Sequence, residues 1–147
     1  MILEIDSAEP LPTLELASGG PPPVGTPVLA IGHPTFAGTE LPFTLTSGVV
    51  SCGDRRLGEV SYVQFDAPVH AGFSGGPLLD RAGRVLGIVA IHSARQPGIA
   101  FALPAADLRP LLDLVRAAPG EGREAEARHT VERWLDLLAG GRVLPAA

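Results

Sequence analysis

Turn-forming residues interrupt this chain so often that only short elements fit between them. Eighteen of its 147 residues are glycine and 15 are proline, well above the ~12% combined share of an average protein. Glycine reaches backbone conformations closed to other residues, and proline presets a turn. That density favours short strands joined by tight turns over a helical bundle. With 46% hydrophobic and 18% charged residues, the chain can pack a core and does not read as a disordered segment. Its length suits about one domain on a prior of roughly 100–200 residues each.

The charge pattern narrows the partners. Sixteen acids against 11 basic residues leave a net charge of −5. No basic surplus exists to displace counterions from a phosphate backbone, so nucleic acid is not expected as a partner. The single cysteine, Cys52, excludes an internal disulfide and a multi-thiolate zinc site. No metal or cofactor is expected. No run approaches the ~20 apolar residues of a membrane-spanning helix, so no membrane is expected as a partner. The start MILEIDSAEP carries acids where a signal peptide needs positive charge. Residence in the cytoplasm is the default expectation.

Three zones follow one another. Residues 1–20 hold a short apolar start and then Pro-broken sequence. The stretch 21–118 is rich in Gly and β-formers and then turns helical near its end. The part 119–147 reads as a helical appendage. Within the middle zone, six short strands are expected at 28–31, 45–51, 60–66, 77–79, 85–91 and 98–103. The run at 85–91, VLGIVAI, is almost continuously apolar, as in a strand covered on both faces. Asp54 and Asp80 sit in turn-like sequence, where Asp accepts from nearby backbone N–H groups. Short, closely spaced strands with Gly/Pro punctuation suggest a sandwich or a small barrel. Leu108, Leu111, Leu112 and Val115 lie at i, i+3, i+4 and i+7 and predict one helix. Ala127, Val131, Trp134, Leu135 and Leu138 predict a second, over 123–139, ended by Gly140 and Gly141.

The segment DAPVHAGFSGGPL at 66–78 is the most informative. A serine between glycines in a strand-to-strand loop suits acyl transfer. Glycines let the backbone turn so that amide N–H groups can serve an oxyanion. The pentapeptide GFSGG also satisfies G-x-S-x-G, the nucleophile elbow of α/β-hydrolases. That elbow requires a helix directly after the serine, whereas Pro77 and two strands follow here.

The run GFSGGPLLDRAGRVLGIVAIHS, continued by PGIAFALP, resembles the nucleophile region of chymotrypsin-fold serine proteases. Upstream, VLAIGHP, TLTSGVVS and VQFDAPVHAGFSGG follow in the order and spacing of the HtrA (Deg) branch of bacteria, whose motifs read V-x-A-I-G-N-P, T-S-G-I-V-S and Q-T-D-A-x-I-N-P-G-N-S-G-G. A bacterial source fits this likeness. The resemblance covers roughly residues 1–116 and falls in the second of that family's two barrels. It implies a mostly β fold, a six-stranded antiparallel β-barrel, and the periodicity adds two C-terminal α-helices.

That resemblance implies roles as well. Ser74 matches the nucleophile, and the N–H groups of Gly72 and Ser74 match the oxyanion hole. Ala90, Ile91 and His92 match the strand edge that pairs with a substrate backbone. Pro68, six residues before the serine, falls near the base of the primary pocket. Because it is not an acid, a small or apolar residue is expected before the scissile bond. The implied partner is a peptide or protein substrate.

Departures from the family pattern matter equally. The family's triad His and Asp lie in the first barrel, before the serine in sequence. Residues 1–5 resemble the strand that follows that Asp. The chain therefore reads as a C-terminal half of a trypsin-like serine endopeptidase, inactive alone, with residues 1–20 a remnant of the first barrel and an inter-barrel linker. Phe73 stands where the trypsin branch has Asp. Of the four histidines, His70 and His92 are the nearest substitutes for the base, His33 reads as a loop residue and His129 as solvent-facing. Asp66 is expected to order the loop, and Cys52 to be a small core residue. Two further readings remain: a non-catalytic single-barrel module that binds extended peptides along 90–92, and a half that assembles with a separate first barrel. Self-association of the isolated chain is expected, because the barrel face that would meet the first barrel is exposed.

Overall fold

The structure, a computed structural model, describes residues 8–92 and 97–117, with the side chains of Ile91, His92 and residues 114–117 left aside. The expected start strand at 1–5 and the second helix with His129 and Trp134 lie outside the described residues. Eight strands precede one helix. They are β1 (Pro27–Gly32), β2 (Thr35–Phe36), β3 (Thr39–Glu40), β4 (Thr44–Leu57), β5 (Val60–Phe65), β6 (Pro77–Leu79), β7 (Val85–His92) and β8 (Ala100–Pro104), followed by α1 (Ala105–Ala117). Six of the strands close into a barrel in the order β1-β4-β5-β8-β7-β6, and β2 with β3 forms a separate two-stranded sheet. All strand pairs are antiparallel. The six-stranded antiparallel barrel expected from the sequence is present.

Alternation explains how the barrel fills. In β1, Val28, Ala30 and Gly32 are buried while Leu29 and Ile31 are half-buried. In β5, Val63 and Phe65 point inward with Val50, Leu78, Val89, Ala100 and Ala102. Alanines suit the interior because six strands enclose a narrow space. The other face of β5 carries a second cluster, Val60 and Tyr62 with Phe101 of β8. Tyr62 and Phe101 meet edge to face at 6.1 Å. The Tyr62 hydroxyl is buried without a hydrogen-bond partner among the described residues, and burial pushes its pKa up.

Two elements differ from the expectation. The strand expected at 45–51 runs on to Leu57, because irregularities between Val50 and Cys52 and between Cys52 and Arg55 let it bend and stay paired with β5. Asp54 is therefore an exposed strand residue and not part of a turn. The second difference is the β2–β3 hairpin, whose turn residues Ala37 and Gly38 have φ of 50° and 81°. Two successive positive φ values define a type I′ turn, usually marked by Asn-Gly; Ala-Gly hides it. By contrast, the turn at Asp80 behaves as expected. Asp80 Oδ1 accepts the N–H groups of Ala82 and Arg84, both at 2.9 Å. Its Oδ2 meets the Arg84 guanidinium at 2.8 and 2.7 Å.

Two further contacts tie the ends of the described chain to the barrel. Residues 15–17 lie parallel to the start of β7, with Val85 N–H donating to the Glu15 carbonyl at 2.8 Å and Ala17 N–H to the Val85 carbonyl at 2.9 Å. Arg109 of α1 donates to the carbonyls of Leu16 and Ala17 at 3.0 and 2.9 Å. The helix itself packs on β7 and β8. It holds despite Pro110, which lacks the N–H that would bond the Ala106 carbonyl.

Candidate active site

The loop 66–76 joins β5 to β6. Its side chains alternate: Ala67, Val69 and Phe73 are buried, while Asp66, Pro68, His70 and Ser74 are exposed. The apolar members enter the barrel core and so hold the loop from below. Asp66 fixes its start. Its Oδ1 accepts the Val49 N–H at 2.6 Å, and its own N–H donates to the Val49 carbonyl at 3.2 Å. The approach needs Gly48, since a Cβ there would stand 2.4 Å from both Asp66 Oδ1 and Ala67 N. Asp66 thus orders the loop.

Two tight turns surround the serine. Phe73 N–H donates to the His70 carbonyl at 3.1 Å, and Gly76 N–H donates to the Phe73 carbonyl at 2.9 Å. Gly72 and Gly75 occupy the third position of these turns with φ of 99° and 85°, whereas Ala71 and Ser74 have no positive φ. That combination makes both turns type II, which requires φ > 0 at the third residue. Gly75 N–H donates to the Val89 carbonyl at 2.8 Å, and Val89 N–H to the Gly76 carbonyl at 2.9 Å. On the other flank, the Gly72 carbonyl accepts the His33 N–H at 2.9 Å.

The hydrogen bonds therefore consume the amides of Phe73, Gly75 and Gly76. Those of Gly72 and Ser74 have no acceptor among the described residues. The Ser74 hydroxyl is exposed and likewise has no partner among them. A nucleophilic oxygen beside two available N–H donors is what acyl transfer asks of a loop. His33 and His70 are both exposed, and neither bonds Ser74. The His33 ring instead packs edge-on against Phe43, with centroids 5.1 Å apart. Among the described residues no group of three or more His, Cys, Asp or Glu is placed to hold a metal.

Strand β7 continues past the loop. Ile91 and His92 face Phe101 and Ala100 of β8 on one side. On the other side, β6 stops at Pro77 opposite Ile88. From Ala90 onward that second edge has no partner strand among the described residues. The structure therefore brings Ser74, Gly72 and the start of the 90–92 edge together through Val89. Pro68 lies in the same loop with its side chain exposed. A separate groove of about 490 Å³ lies between Pro21–Pro23, Asp54, Arg84 and Asp107, away from Ser74. Burial and the neighbouring Asp54 push the Asp107 pKa up.

Comparison with known proteins matches this geometry. The family described as trypsin-like peptidase domain matches residues 1–88, which end within β7 and include the whole loop. The chain belongs to the trypsin-like peptidases. Curated relatives place it in the HtrA branch. It is 39% identical over 117 residues to the mitochondrial serine protease HTRA2 of Bos taurus, covering 75% of this chain and 24% of that protein. It is 35% identical over 124 residues to a probable periplasmic DegP-like serine endoprotease of Rickettsia conorii, covering 78% and 24%. Among solved structures, a serine endoprotease from Yersinia pestis superposes with a TM-score of 0.59 at 32% identity, covering 74% of this chain and 37% of that one. An HtrA-type protease solved with a decapeptide gives a TM-score of 0.60 at 32% identity, covering 71% and 33%. This peptidase-family chain spans about a quarter of the length of the curated relatives it matches.

Proposed function

We propose that this barrel carries the nucleophile, oxyanion hole and substrate-strand edge of a serine endopeptidase. One observation supports this above the others: the Gly72 and Ser74 amides, on either side of Phe73, lack an acceptor among the described residues, while those of Phe73, Gly75 and Gly76 are bonded. In the proposed reaction Ser74 Oγ attacks the scissile carbonyl, and a histidine base takes the hydroxyl proton. The carbonyl oxygen becomes an oxyanion held by the two amides, each donor worth roughly 3–4 kcal/mol in the transition state. The acyl side of a peptide or protein substrate pairs with the backbone of Ala90, Ile91 and His92. Pro68 favours a small or apolar residue before the scissile bond. The base is proposed to come from a first barrel of the family fold, since neither His33 nor His70 bonds Ser74.

Labelling by a fluorophosphonate tests this reading. The chain of 147 residues is expected to react at least ~10³-fold more slowly than a protein that also carries the first barrel, as expected when the base is missing. Ser74→Ala should abolish labelling in both. Rapid labelling of the chain alone would place the base within it and overturn the two-barrel assignment. The open edge of β7 favours a second reading, a module that binds extended peptides without cutting them. Peptide binding that survives Ser74→Ala, with no labelling in either protein, would favour that one.

A further inference from the structure

We propose that Phe73 is a positioning residue whose buried ring, seated against Gly32, holds the Gly72 turn so that the Gly72 and Ser74 amides stay presented. The inference rests on reading those amides as the oxyanion donors. Phe73 lies between them in sequence, and it belongs to both turns: its N–H closes the first, and its carbonyl closes the second. Wherever the ring goes, both turns must follow.

The ring goes into the barrel core. Phe73 is 1% exposed and is among the largest fully buried side chains. Its neighbour at the end of β1 is shaped to receive it. A Cβ on Gly32 would stand 2.7 Å from both Phe73 Cα and Cγ, so the missing side chain at Gly32 makes the seat. The next residue, His33, donates to the Gly72 carbonyl. The β1 end thus grips the turn twice, once through the ring and once through the backbone. Val69 and Ala67 share the same core, but they precede the turn and do not take part in its hydrogen bonds. An apolar seat has no charge to titrate and needs no ionic partner, so nothing in it switches off when pH or a neighbouring charge changes.

Amide hydrogen exchange in the isotopically labelled chain tests this. The reporters are His33, bonded to the Gly72 carbonyl, and Gly76, bonded to the Phe73 carbonyl; the reference is Val50, bonded to the Thr26 carbonyl. Phe73→Ala is expected to speed exchange at both reporters about tenfold more than at Val50, because the turn opens locally. Phe65→Leu, an equally buried change away from the turn, should move all the amides together. Phe73→Met, which keeps most of the volume, should restore the reporters to within about twofold of the unchanged chain. If Phe73→Ala does not fold, Phe73→Leu serves the same comparison. Reporters that keep their ratio to Val50 in the folded variant would overturn the proposal. The readout does not involve Ser74 reactivity. A failed nucleophile assignment would appear as absent labelling even with the first barrel present, while Phe73→Ala still speeds exchange at His33 and Gly76 relative to Val50.

Discussion

The loop between β5 and β6 and the segment between β1 and β4 are built on different principles. The 66–76 loop buries Ala67, Val69 and Phe73 and leaves its polar residues outside. The 33–43 segment instead leaves its large apolar residues outside as well. Its phenylalanines, Phe36 and Phe43, are 75% and 79% exposed, and Ala37 and Phe43 both take positive φ. One loop is held by core packing and crowded glycines. The other is held by the Leu41 N–H bond to the Pro34 carbonyl, the short β2–β3 pairing and the His33–Phe43 contact. The lesson is that apolar residues in a loop order it only when the chain directs them inward. The better-anchored loop is the one that carries Ser74.

Glycine substitutions offer the sharpest way to break this contrast. A Cβ on Gly76 would stand 2.1 Å from the Ile31 carbonyl oxygen, which is backbone and cannot swing aside. Gly76→Ala is expected to lower unfolding stability by about 3 kcal/mol, read by denaturant titration. Gly38 in the hairpin turn has open space around it, and its only constraint is a φ of 81°. Gly38→Ala should cost about 1–2 kcal/mol from left-handed strain alone. Equal losses in the two variants would erase the distinction between the loops.

The smallest effect belongs to the β6–β7 turn, whose order comes from charge instead of apolar packing. Burial alone would raise the Asp80 pKa, but the hydrogen bonds from Arg84 and Ala82 and the Arg84 charge outweigh it and hold the carboxyl below its usual value. A carboxylate with a lowered folded pKa adds stability above its unfolded value near ~4, and that contribution disappears as pH falls through the folded value. Arg84 is half exposed, so solvent screening keeps the pair small. Asp80→Asn should cost about 1 kcal/mol or less at neutral pH. It should also flatten the fall in stability measured as pH drops below about 4.

The barrel strands were readable because apolar runs bounded by Gly and Pro place β1, β5, β6 and β7 within a residue or two. The serine loop was readable because a serine among glycines before a proline has few structural uses. The β2–β3 hairpin was not, because Ala-Gly is a weak turn signal and both strands are only two residues long. The length of β4 was hidden for a similar reason: the stretch around Asp54 looks like a turn until β5 pairs with Arg55 and Arg56 beyond it.

By itself, the order of residues determined where the six barrel strands begin, which serine stands among glycines, and which family the chain resembles. These depend on local preferences and on spacing along the chain. Only the tertiary structure decided that Phe73 turns into the core while Phe36 and Phe43 turn outward. It alone decided that Tyr62 joins a second cluster outside the barrel, and that Gly72 and Ser74 keep their amides while those of Phe73, Gly75 and Gly76 are bonded. A side chain's direction and an amide's partner depend on what the rest of the barrel brings beside them. The same phenylalanine is an anchor in one loop and solvent-exposed in the other.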